Sequence, residues 1–236
     1  MVRIEQTSLG RTIVLDRPER RNALTLAMWR ELGELARALD EPGRADEPLY
    51  VVGAGGYFCS GADLDALRWA RESPEQADEF VHGVVECLLS LHTTRPEVVA
   101  VVEGGAAGGG VEIMAACDRR VAIGSPSLVF PFGTHGMTLD DFTRWRLHQL
   151  VGDAQAERLV DGRHVVDADE ALRLGLFDSR HDSLAALAAA ERTGRDSRTT
   201  SPRDGGAYLG PGETLDLAVH RAAAPMRQAF PPHTGS

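Results

Sequence analysis

The chain reads as an α/β fold built on parallel strands, and three observations carry that expectation. Short Val-rich apolar runs alternate with stretches of helical periodicity, the order that produces βα units and a parallel sheet. One such run, Val98 to Val102, leads through five glycines into a second apolar segment, Val111 to Cys117, which reads as strand, turn and helix. Hydrophobic residues make up 43% of 236 residues, enough for one sizeable core or a core with a small appendage.

Each element follows in order. Arg11 to Asp16 alternates as a strand, and Arg17 to Asn22 is a basic turn. Leu24, Met28, Leu32, Leu35 and Leu39 recur at spacings of three and four, so Thr25 to Asp40 is an amphipathic helix. Glu41 to Glu47 reads as a loop, Leu49 to Gly53 as a buried strand, and Gly55 to Asp63 as a loop with its own glycine turn. Helical pattern returns at Leu64 to Arg71 and at Pro74 to His92, where Phe80, Val84, Leu88 and Leu91 share a face. After the glycine turn, Arg119 to Gly124 and Leu128 to Phe130 read as short strands and Gly133 to Leu139 as irregular. Asp140 to Val151, Ala154 to Val160 and Ala168 to Leu174 read as helices, Leu176 to Asp178 as a strand, and Leu184 to Glu191 as a helix. Arg192 to Gly212 is a polar linker, Glu213 to Arg227 a last helix, and Phe230 to Ser236 a flexible tail. The expected organisation is a core domain over residues 1–190, then linker, short helix and tail over 191–236.

Composition narrows the function. A formal charge of −10 disfavours nucleic acid and anionic membrane as partners. There is no apolar run long enough to span a membrane and no signal core at the N-terminus. Cys59, Cys87 and Cys117 are far apart, suit a reducing cytoplasm, and show no metal-ligand spacing. The expectation is a cytoplasmic protein without a metal.

The glycine turn carries the chemistry. It lets backbone approach a ligand closely, and the first N–H groups of the following helix lack intrahelical partners and suit a negatively charged oxygen. Glu112 stands one turn into that helix. Such donors beside a carboxylate are the apparatus for chemistry at the α or β carbon of a carbonyl compound. Neither GxxxxGK[ST] nor a dinucleotide-type GxGxxG occurs. Taken alone, a glycine-rich turn is first a device for tight strand–helix packing.

Four motifs in order resemble the crotonase superfamily, the enoyl-CoA hydratase/isomerase family. RPERRNAL (Arg17 to Leu24) is similar to its RPxxxNAL turn, and GGYFCSGADL (Gly55 to Leu64) to its F-x-x-G-A-D segment. GGAAGGGVEIMAACD (Gly104 to Asp118) resembles its G-x-A-x-G-G-G-x-E-L-x-x-x-C-D segment. Gly162-Arg163, Asp167 to Ala171 and Leu174 to Leu176 resemble its TG…A-x-E-A…G-L-V stretch. The likeness implies a ββα spiral core, here with a short, diverged helical C-terminal region, assembled as a homotrimer or hexamer. It implies an acyl-CoA thioester as substrate, with coenzyme A entering only as part of it and no other cofactor. It assigns the oxyanion hole to the N–H groups of Ala62 and Gly109. It places Arg20, Arg21, Ser60, Gly61, Ala62, Asp63, Leu64, Asp65, Arg68, Gly108 and Phe132 along the substrate and CoA site. Asp63 ties down its loop, and Asp65 stands where the family often has Lys.

The catalytic acids depart from the hydratase pattern. The first hydratase glutamate matches Glu112, but the second position, in Pro131-Phe132-Gly133, is Phe132, which can neither activate water nor donate a proton. Asp140 lies eight residues on, where family isomerases and hydrolases carry an acid. The resemblance then implies that Glu112 and Asp140 form an acid/base pair across the acyl chain. Thr138-Leu139-Asp140-Asp141 reads equally well as a helix cap. His135 is a further candidate acid, and the cysteines have no basic neighbour to make them nucleophiles. The resemblance favours double-bond isomerisation. The alternatives are hydration or dehydration, acyl-CoA hydrolysis in a polyketide-like pathway, and a non-catalytic member that binds acyl-CoA or a partner.

Overall fold

A computed structural model describes residues 1–40, 47–132, 138–194 and 208–230. The loop expected at 41–46, the irregular stretch at 133–137 with His135, most of the linker and the tail from 231 lie outside the described residues. Among the described residues the strands form one sheet in the order β1-β2-β3-β4-β5-β6, with β7 also on β5. These are β1 (Val2–Thr7), β2 (Gly10–Leu15), β3 (Leu49–Gly53), β4 (Val98–Ala107), β5 (Arg119–Phe130), β6 (His164–Val166) and β7 (Ser179–His181). β2 through β5 run parallel, as does β7 with β5, while β1 and β6 are antiparallel.

The parallel strands read as unbroken apolar runs because both faces are covered. Leu49, Val51, Val98, Ala100 and Val102 enter the main core. Tyr50, Val99 and Val101 point the other way, into a small cluster with Val121, Ile123 and Leu187. The main core packs α1 (Leu26–Ala38), α3 (Pro74–Thr93) and α4 (Gly109–Ala116). The second face lies under α8 (Leu184–Thr193), which supplies Leu187.

Sequence punctuation is overridden in three places. β4 does not break at Gly104 but runs on to Ala107, and α4 starts at Gly109 rather than Val111. The two strands expected around Gly124 are one strand, β5. Glu103 pairs with Ile123 and Gly105 with Ser127, so Gly124 to Pro126 form a bulge that kinks the ladder without ending it. The strand expected at Leu176 to Asp178 sits at Ser179–His181 instead, because Asp178 is taken by Arg120 as ion-pair and main-chain acceptor.

The remaining helices are α2 (Leu64–Trp69), α5 (Asp141–Val151), α6 (Asp153–Val160), α7 (Ala168–Leu174) and α9 (Leu215–Gln228). α8 runs across residue 190, where the sequence divides core from tail, and α9 buries Ala218, Val219, Ala222, Ala223 and Met226 in the main core. Phe230, expected in the tail, is buried edge-on against Phe80 with ring centroids 6.0 Å apart, since an aromatic ring gains more from contact than from water. Among the described residues no helix is long and apolar enough to cross a membrane.

Candidate active site

The loop after β3 is laced to the turn between β2 and α1, far from it in sequence. Asn22 holds φ +56°, which Asn tolerates better than most residues. Its Nδ2 donates to Ala54 O at 2.9 Å and Tyr57 O at 2.5 Å, and its Oδ1 accepts from Arg17 N at 2.9 Å. Main chain completes the lacing: Ser60 N donates to Arg21 O, Leu24 N to Gly61 O, and Asp63 N to Leu24 O. Asp63 caps α2 through Asp65 N and pairs with Arg17 Nη1 at 2.6 Å. Burial works against its charge, but Arg17 and the capping N–H groups hold its pKa below the ordinary value. Asp63 therefore secures the loop.

The glycine turn brings α4 against that loop. Gly108 has φ +49° and ψ −117°, a conformation that a side chain resists. A Cβ on Gly109 would lie 2.7 Å from Cζ2 of Trp29 and 3.4 Å from Ala62 N, so only glycine fits. Ala62 N and Gly109 N take no hydrogen-bond partner among the described residues. Both residues line one cavity of about 540 Å³.

Of the sequence-named residues, Ser60, Gly61, Ala62, Leu64, Arg68, Gly108, Gly109, Glu112 and Phe132 line this cavity. Arg20, Arg21, Asp63, Asp65 and Asp140 are not among the lining residues. Arg20 and Arg21 serve Ser60 through their carbonyls, and the Arg21 guanidinium stacks 5.5 Å over Tyr57. Asp65 pairs with Arg68 at the mouth. The sequence reading missed Trp29, Phe80, Val84 and Met226, whose helical spacing marks them only as core, and Arg71, Thr138 and Arg163. Arg163 stands in the quoted Gly162-Arg163 motif, a signal that could have found it.

The two acids are both buried, Glu112 at 4% and Asp140 at 0% exposure. Asp140 is the N-cap of α5: its Oδ1 accepts from Thr143 N at 2.9 Å. Its Oδ2 is buried with no hydrogen bond among the described residues. Burial raises the pKa of Glu112, and the nearby Asp140 charge raises it further. Burial likewise raises Asp140, against the lowering by Thr143. Two like charges in a dry site cannot both ionise easily, so the pair favours a state with one proton between them. Burial pushes the Cys59 thiol up to about 12, which removes it as a nucleophile. Phe132 meets Phe130 edge-on at 6.3 Å and keeps its end of the cavity apolar. Among the described residues no group of three or more His, Cys, Asp or Glu is placed to hold a metal ion.

Comparison with known proteins points one way. The family profile described as enoyl-CoA hydratase/isomerase matches residues 7–190. The protein named "Probable enoyl-CoA hydratase echA6" of Mycobacterium tuberculosis is 32% identical over 177 residues, 75% of this chain and 69% of that protein. The ethylmalonyl-CoA decarboxylase of Xenopus laevis is 35% identical over 173 residues, 71% of this chain and 55% of that protein. The crystal structure of an enoyl-CoA hydratase from Bacillus halodurans superposes with a TM-score of 0.80 at 26% identity, covering 97% of this chain and 94% of that one.

Proposed function

The chain belongs to the enoyl-CoA hydratase/isomerase family, the crotonase superfamily, and from that premise we propose that it moves a proton at the α carbon of an acyl-CoA thioester, with double-bond isomerisation favoured. The observation that supports this most is the Glu112–Asp140 pair, both buried and electrostatically coupled, with Asp140 Oδ2 lacking a hydrogen-bond partner among the described residues.

In this reading the thioester oxygen accepts from Ala62 N–H and Gly109 N–H. Loss of an α proton turns the thioester into an enolate, whose negative charge the two donors stabilise where it develops. The ionised member of the acid pair takes the α proton. The protonated member delivers one to the γ carbon, the double bond moves, and the proton count is unchanged. Phe132 supplies an apolar wall in place of a second glutamate, so its own position offers no group to activate water. The three arginines at the cavity, Arg68, Arg71 and Arg163, suit the phosphates of coenzyme A.

A second reading, hydration or its reverse, is favoured by the name of the Mycobacterium relative. A third, loss of carbon dioxide from a carboxylated acyl-CoA, is favoured by the name of the Xenopus one and passes through the same enolate. One panel of thioesters separates them. The proposal expects β,γ-enoyl-CoA to become its α,β isomer faster than α,β-enoyl-CoA is hydrated, carbon dioxide is released or free CoA appears. Faster hydration or decarboxylation by the same preparation overturns it. Strong hydration by Phe132→Glu would identify Phe132 as the residue that suppresses it.

A further inference from the structure

Helix α4 has an anchoring problem. It is eight residues long, about 12 Å, and a helix that short is marginal by itself. Its first N–H group, on Gly109, faces the cavity and cannot be tied to protein without losing its use. The helix must be held at its other end. Ordinarily the last carbonyls of a helix find water or a C-cap. Here buried side chains from three other elements take them.

Arg146, on α5 and only 2% exposed, does most of this. Its Nε donates to Ala115 O at 2.9 Å and its Nη2 to Cys117 O at 3.2 Å. Arg120 Nη1 meets Cys117 O at 3.1 Å, and His92 Nδ1 lies 3.3 Å from Ala116 O. Arg120 has an ion pair, with Asp178 at 2.7 Å. Among the described residues Arg146 has none. A buried guanidinium is expensive and an apolar side chain would pack more cheaply, so its forked grip on two carbonyls calls for an explanation. The same helix, α5, carries Asp140 at its N-cap, six residues or about 9 Å away. The N-cap of α5 thus acts on Glu112 electrostatically, while Arg146 of the same helix holds the C-terminal carbonyls of α4.

We propose that Arg146 is a positioning residue: its guanidinium, forked across Ala115 O and Cys117 O, holds α4 against α5 and so fixes the separation of the Glu112 and Asp140 carboxyls. The role of the pair in turnover rests on the function proposed above; the positioning itself does not. Among the described residues, the groups acting on Glu112 are Asp140 from α5 and Cys59 from the loop after β3. Asp140 faces Thr143 on its own helix and the Tyr208 hydroxyl. Arg146 faces Cys117, Asp118, Arg120 and Asp178.

The test compares Arg146→Lys, which keeps the charge and loses the fork, with Arg146→Gln, which loses the charge and keeps one amide donor. Carboxyl titration is followed by carbon-13 resonance on labelled Asp and Glu, and turnover is measured across pH. The gap between the two titration steps of a coupled pair shrinks as the pair separates. Both variants are expected to narrow that gap. In Arg146→Lys, kcat should fall about tenfold or more while KM stays within about twofold, since small misplacement is costly in the reacting complex. Two steps that keep their spacing while thermal stability falls would make Arg146 merely structural and overturn the proposal. So would two steps that move in parallel in Arg146→Gln, which would make it only a distant charge. If the wild type turns over no acyl-CoA, the function falls while the titration still decides the positioning.

Discussion

At the scale of the residue, the two roles that the sequence leaves open for Asp140 are compatible, because its oxygens divide between them. Oδ1 caps α5, and Oδ2 has no hydrogen-bond partner among the described residues. Asparagine caps as well as aspartate but neither takes nor gives a proton. Asp140→Asn is therefore expected to keep its Tm within a few degrees and lose about a hundredfold or more in turnover. Full turnover would reduce Asp140 to a cap. Glu112→Gln should be similarly inactive, and the double variant little worse than the poorer single one, because groups acting as a unit are not additive. Glu112 also predicts a pH signature. Its folded pKa is raised, so above the ordinary carboxyl pKa the folded state holds more protons than the unfolded, and stability falls as pH rises through the window between the two values. Glu112→Gln abolishes that loss. Its Tm gain over wild type should be near zero at pH 4 and grow steadily toward pH 8, by about 2–4 °C per kcal/mol; a gain independent of pH would contradict the raised pKa. Ala62→Pro removes one free N–H without touching the Gly61 O and Asp63 N bonds to Leu24. Turnover should fall by about two orders or more, with circular dichroism unchanged.

At the scale of the element, the sequence locates strands with apolar Val runs and helices with clean periodicity almost to the residue. Leu49–Gly53 and Ala168–Leu174 fall where expected. What it misses are elements whose existence depends on a neighbour. β1 is mostly solvent-facing, so VRIEQT offers no apolar run and pairs only because β2 is beside it. β6 is three residues long and exists as a rung on β5. Glycines at 104 and 124 mark the irregularity correctly, yet a bulge in a paired strand and the end of a strand look alike in sequence. The turn holding Asn22 is the reverse case: it is short, but its motif specifies what it binds. Asn22→Ala leaves Ala54 O, Tyr57 O and Arg17 N without their partner and puts Ala at a positive φ. Urea denaturation should show a loss of about 2–4 kcal/mol, with kcat/KM lowered as the Ala62 loop loosens. An unchanged midpoint would mean the loop is held elsewhere.

At the scale of the whole molecule, the motif residues that line the cavity were legible in the sequence and its walls were not, for one reason. Ala62, Gly109 and Glu112 sit in motifs whose glycines and caps are spelled locally. The walls, Trp29, Phe80, Val84 and Met226, come from three helices and are indistinguishable in sequence from core. Assembly is also beyond one chain; we propose the trimer or hexamer implied by the family, which light scattering at working concentration would refute by finding monomer alone. Charge, by contrast, can be argued from the whole. The chain carries −10 on a body whose radius is on the order of 20 Å, while Arg68, Arg71 and Arg163 line the cavity. An acyl-CoA bearing several phosphate charges approaches a repelling field and ends at an attracting mouth. Unscreened, the global term is on the order of 2 kcal/mol per ligand charge at that radius, and the Debye length of about 8 Å at physiological ionic strength removes most of it. Contacts between arginine and phosphate act within a few ångströms and are screened far less. Raising salt from about 10 mM to 150 mM should therefore increase kcat/KM severalfold, mainly through KM. Arg71→Gln should lower kcat/KM at both salts and leave the slope nearly as it was. A steep fall with salt in the wild type would mean that the arginines at the mouth dominate the approach, and that the net charge of the chain is not felt there.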